Sequence, residues 1–129
     1  MNRKRTLGMG ITLALVLAIG IDVGRAEGKS STVKGYVLDS ACALTKNLSK
    51  PISADCAVAC AKAGSPLVIL ADDGTIYWPI SETSSLPAKG QNDRVIAFAG
   101  QKVSAQGTVY AKGGSHAIVI QKIEPAAAK

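Results

Sequence analysis

The sequence predicts a mainly β fold class: one small barrel of five short strands, with a short helix inserted between the first and second strands. Three observations carry this expectation. Five stretches rich in β-branched residues are separated by turns containing glycine, proline and aspartate. Only one segment reads as a clear helix, started by Ser53 and stopped by Gly64 and Pro66. Within residues 102–110, Val103, Ala105, Gly107 and Val109 alternate with Lys102, Ser104, Gln106 and Thr108, the period of a strand that buries one face.

Taken in order, residues 32–39 (TVKGYVLD) form the first strand, with Val33 and Val37 on one face and Lys34, Tyr36 and Leu38 on the other. Gly35 inside it marks a bend or a close approach of another backbone. A polar loop through Asn47, Ser49 and Pro51 leads to Ser53, the N-cap of an alanine-rich helix over residues 54–63 that Gly64 and Pro66 stop. Residues 67–71 and 75–80 flank Asp72-Asp73-Gly74, a hairpin signal. Residues 81–91 read as loop, and Asp93 caps a short helical turn through Phe98 that Gly100 ends. Residues 102–110 and 116–123 close the chain as two strands joined across 111–115, while 27–30 and 125–129 read as frayed ends. Five strands with a helical element between the third and fourth give an OB-like barrel, a closed sheet with few exposed edges. An open sheet packed on the inserted helix is the alternative.

The chain starts with Arg3, Lys4 and Arg5, followed by an uncharged apolar run over residues 11–21 and a small-residue pattern at Gly24-Arg25-Ala26. The run is shorter than the roughly 20 residues a membrane span needs, so residues 1–26 are expected to be a signal peptide cleaved after Ala26. Residues 27–129 then form a single OB-like domain, periplasmic or secreted, with no stable membrane anchor. No cysteine stands at the cut to carry a lipid. The leader holds Arg3, Lys4, Arg5 and Arg25 against Asp22, so its removal takes the formal charge from +6 to +3. The remaining lysines are scattered rather than gathered into a stripe, which excludes a nucleic-acid footprint. Aromatic residues are few, and Tyr36, Tyr77 and Trp78 are expected to pack in the core rather than form a stacking platform. Asn47-Leu48-Ser49 matches a glycosylation acceptor, which matters only in a eukaryotic source.

Three cysteines stand out: Cys42 at the exit of the first strand, and Cys56 and Cys60 on the helix. An odd number of thiols in an oxidising compartment cannot all pair within one chain. Residues four apart on a helix hold their Cβ atoms about 5–6 Å apart, against the roughly 3.5–4.5 Å of a disulfide, so a Cys56–Cys60 bond is disfavoured while the helix is intact. The same spacing suits two thiolates converging on one ion, with Cys42 completing a set of three. Thiolates favour a soft cation such as copper(I) or zinc(II). The alternative is a disulfide from Cys42 to Cys56 or Cys60 that pins the helix to the barrel. His116, the only histidine, is expected at the surface, with a place as fourth ligand as the minor option, and Asp39 to cap a turn or accept a hydrogen bond near the site.

Residues 35–42 (GYVLDSAC), 56–66 (CAVACAKAGSP) and 73–77 (DGTIY) resemble a group of small exported bacterial proteins, largely uncharacterised, with an OB-like carboxy-terminal half. Many members carry a histidine three residues before the second cysteine, where this chain has Ser53. The resemblance covers most of residues 27–129 and implies fold and export rather than an activity. No Ser/His/Asp arrangement, phosphate loop, paired carboxylates or CxxC motif accompanies it. The expectation is an exported, non-enzymatic barrel that binds a soft metal ion through Cys42, Cys56 and Cys60. A disulfide-stapled module for a small ligand or protein partner is the alternative.

Overall fold

The computed structural model describes residues 27–83 and 88–127. The expected leader and its cleavage site lie outside these residues, as do positions 84–87 of the expected loop and the last two residues. Among the described residues, no helix is long and apolar enough to cross a membrane.

Five strands close into a barrel: β1 (Lys29–Asp39), β2 (Leu67–Ala71), β3 (Ile76–Pro79), β4 (Lys102–Lys112) and β5 (Ser115–Pro125), in the order β1-β2-β3-β5-β4 with β4 pairing back to β1. All neighbours are antiparallel except β3 and β5, which run parallel, with Tyr77 opposite His116. This is the small OB-like barrel that the strand pattern predicts. The inserted helix is α2 (Ala54–Lys62), preceded by a shorter α1 (Ser40–Thr45); α3 (Ala88–Val95) and a 3₁₀ turn (Ile96–Phe98) link β3 to β4.

Alternation decides which side chains fill the barrel. Val33 and Val37 of β1, Ile69 of β2, Val103 and Ala105 of β4, and Ile118 and Ile120 of β5 form its interior. Ala57 and Ala61 of α2 and Val95 of α3 pack against the same cluster. Small alanines let α2 lie close to the wall, which is why a short helix with little apolar bulk is held there. A second cluster lies on the opposite faces of the same strands: Leu38, Val68 and Leu70, joined by Ala43 of α1 and flanked by Tyr36, Leu48, Ile76 and Trp78. Strand β2 is therefore buried on both sides, which explains its unbroken LVIL run.

Several expectations need correction. β1 begins at Lys29, because Lys29 and Ser30 pair with Val109 and Thr108, so residues 29 and 30 are not frayed. Pro125 likewise belongs to β5, opposite Val103, and the Ala126 amide donates to the Lys102 carbonyl at 2.9 Å. The polar segment after Asp39 starts with α1, where a loop was expected. Residues 88–91 are helical, and Asp93 lies inside α3 rather than capping a turn. The hairpin is as expected: Gly74 takes φ 86°, and the Asp73 carboxylate accepts the Thr75 amide at 2.9 Å.

Candidate metal centre

The site is assembled where β1 runs into α1. Asp39 is the last residue of β1 and the N-cap of α1; its Oδ1 accepts the Cys42 amide at 2.9 Å. That bond satisfies one of the amide groups a helix start leaves without an internal partner. It also fixes Cys42 one turn beyond the carboxylate, on the same side of the short helix.

Cys60 arrives from α2 through the way that helix ends. Gly64 adopts φ 100°, the Gly64 amide donates to the Ala61 carbonyl at 3.0 Å, and the Ser65 amide donates to the Cys60 carbonyl at 3.0 Å. This double bond pattern is the Schellman motif, which needs a left-handed residue at Gly64's position. The turn swings Ser65 back so that its hydroxyl donates to Asp39 Oδ1 at 3.4 Å. Asn92 of α3 clamps the same stretch: its Oδ1 accepts the Leu67 amide and its Nδ2 donates to the Ser65 carbonyl, both at 2.8 Å. The Ser40 amide closes the arrangement on the Pro66 carbonyl at 2.8 Å.

As a result, a carboxylate oxygen of Asp39 and the sulfurs of Cys42 and Cys60 lie within 4.8 Å of one another. In a tetrahedral zinc site with bonds of about 2.3 Å to sulfur, two sulfurs sit roughly 3.8 Å apart, so modest side-chain rotation is enough to close the group on an ion. Both hydrogen bonds to Asp39 described above fall on Oδ1, so capping α1 does not use up Oδ2. Asp39 and Cys42 are buried, while Cys60 is half-buried.

Cys56 stands beside this group. Its amide donates to Ser53 Oγ at 3.1 Å, as the Ser53 start signal implies, and its side chain helps to push the Cys60 thiol up. Cys56 also lines a narrow cleft with Asp39 and Cys42. All three cysteines are free thiols. His116 is elsewhere: it sits on β5 with its ring 5.6 Å from that of Tyr77. The sequence pattern thus locates Cys42 and Cys60 in one place but gives Asp39 only a supporting role and misses Ser65 and Asn92. The spacing Asp39-x-x-Cys42 is the one signal that could have promoted Asp39, since a cap residue three positions before a cysteine must face its amide.

Electrostatically the cluster is a proton store. A hydrogen bond to Asp39, reinforced by burial and by the carboxylate's charge, pushes the Cys42 thiol up to about 11. Burial, then the charge of Asp39, pushes Cys60 up as well. Burial works to raise the Asp39 carboxyl too, but hydrogen bonds from the Cys42 amide and thiol and from Ser65 outweigh it and hold it below the usual carboxylate range. At neutral pH the group therefore holds one carboxylate and two protonated thiols. A thiophilic cation that displaces those protons meets two thiolates and a carboxylate.

Fold and site together define a closed OB-like barrel with a mixed aspartate and cysteine cluster able to ligate a metal ion. No family model matches the chain, no curated protein matches it, and no solved structure matches it.

Proposed function

We propose that the protein is an exported, non-enzymatic module that binds a thiophilic metal ion through Asp39, Cys42 and Cys60, with Cys56 supplying the third thiol of the set. The convergence of one carboxylate and two thiols within 4.8 Å carries this proposal. An oxygen and sulfur donor set suits zinc(II), which is borderline in softness, better than copper(I), which prefers sulfur alone. Ser65 and the Cys42 amide orient the carboxylate as outer partners do in metal sites. The elevated thiols support the non-enzymatic part, because repeated catalytic turnover by a cysteine at neutral pH calls for a lowered pKa. Export rests on the basic and apolar start of the chain and on its resemblance to small exported bacterial proteins.

The test is metal loading of the reduced protein, with zinc and copper(I) titrated separately against a competing chelator. Cys42→Ser and Cys60→Ser should each abolish high-affinity uptake, and Cys56→Ser should weaken it. Unchanged stoichiometry in both Cys42→Ser and Cys60→Ser would exclude the site.

A further inference from the structure

We infer that Cys42 and Cys60 are also an oxidisable pair, and that their disulfide and the metal ion are alternative occupants of one site, so that a low-molecular-weight disulfide discharges the metal. The discharge rests on the metal-binding proposal above; the pairing does not.

The pairing follows from where the sulfurs are. Those of Cys42 and Cys60 lie within 4.8 Å of each other, on two short helices joined by residues 46–53, which hold no helix or strand. Forming a bond of about 2 Å therefore asks for rotation about the side-chain bonds and a small approach of α1 to α2. Cys56 is the worse partner for Cys60, since both stand on one intact helix at the four-residue spacing that holds their Cβ atoms too far apart.

Exposure sets the order of events. Cys42 is only 8% exposed, whereas Cys60 is half-buried and reachable. The Cys60 thiolate attacks one sulfur of the oxidant RSSR, forming a Cys60–SR mixed disulfide and displacing RS⁻. The Cys42 thiolate then attacks the Cys60 sulfur, forming the Cys42–Cys60 bond and displacing the second RS⁻. Two electrons pass from the cysteines to the oxidant, which leaves as two RSH. Their protons come from the thiols in the metal-free chain and from solvent in the loaded one. A metal ion there loses two anionic ligands at once and is left with Asp39 and Cys56, too few to hold it.

The experiment adds oxidised glutathione, without air, to reduced zinc-loaded protein. Released zinc is followed with a chromophoric chelator, and disulfides are mapped by peptide mass spectrometry. Zinc release should keep pace with a Cys42–Cys60 bond. Cys42→Ser should stop at a glutathione adduct on Cys60, Cys60→Ser should leave Cys42 unmodified, and Cys56→Ser should leave the pairing intact. A disulfide that uses Cys56, or zinc bound and retained with no Cys42–Cys60 bond, overturns the inference while leaving the metal site standing. A Cys42–Cys60 bond in a chain that takes up no zinc sustains the pairing and overturns the discharge together with the metal proposal.

Discussion

Asp39 holds two positions with one carboxylate, capping α1 through the Cys42 amide and facing the thiols of Cys42 and Cys60. The two roles can be separated by substitution. Asp39→Asn keeps a good cap but removes the charge, so the Cys42 thiol should fall from about 11 toward its ordinary value, as read by thiolate absorbance against pH. Asp39→Ala also loses the cap and should cost about 1 kcal/mol of stability in denaturant unfolding. The raised thiol makes its own demand on stability. A group whose folded pKa lies above its unfolded value contributes fully below the unfolded value and loses that contribution as pH rises through the folded one. The reduced protein should therefore lose stability between about 9 and about 11, and Cys42→Ser should flatten that part of the profile relative to the parent. Asn92 supports the site from a distance: Asn92→Ala strands the buried Leu67 amide and should cost about 1–3 kcal/mol, with weaker metal uptake as the 65–67 stretch loosens.

At the level of elements, the parts legible in the sequence are those whose signals are local. The start of α2 shows in Ser53 and its end in Gly64, and the structure uses both in the expected way. The alternation of β4 shows because one of its faces fills the barrel. Helices α1 and α3 were hidden for different reasons. α1 spans six residues, too few for a period to show, and only its Asp39 cap distinguishes it from a polar turn. α3 contains Gly90 and has a polar middle, Gln91-Asn92-Asp93, so propensity argues against it. It forms because Val95 is buried in the barrel cluster and Asn92 clamps the 65–67 stretch, contacts invisible without the tertiary fold. Gly35 was legible as a close approach without its partner being known. A Cβ there would meet the Leu70 carbonyl of the neighbouring strand, a backbone atom that cannot swing away. Gly35→Ala should destabilise the barrel by about 1–3 kcal/mol, seen as a lowered thermal midpoint with an unchanged circular dichroism spectrum.

Across the whole molecule, the insertion between β1 and β2 covers a surface. Ala43 and Leu48 lie over Leu38, Val68 and Leu70, on the outer side of the strands that some OB barrels use for oligonucleotides or sugars, so this chain fills that face with its own residues. Tyr36 and Trp78 pack at the edge of the same cluster. The candidate metal centre lies at the root of this cover, with Asp39 and Cys42 at the start of α1 and Cys60 on α2, so an ion bound there would tie the cover to the barrel-packed helix. Binding to the folded chain alone then adds to global stability by mass action, about 2.7 kcal/mol at a hundredfold excess of free ion over Kd. For a domain of this size that corresponds to a rise in Tm on the order of 10 °C. The rise should itself depend on pH, because an ion gains the two thiolates only by releasing their protons, and the elevated pKa of Cys42 and Cys60 strengthens that competition. The zinc-dependent increment in Tm should therefore be largest in mildly alkaline solution and shrink as the solution is acidified. Scanning calorimetry of matched metal-free and zinc-loaded samples across pH measures it, with Cys42→Ser/Cys60→Ser as the chain that should show no increment at any pH. An increment of the same size in that variant, or one that grows on acidification, would place the ion elsewhere on the protein.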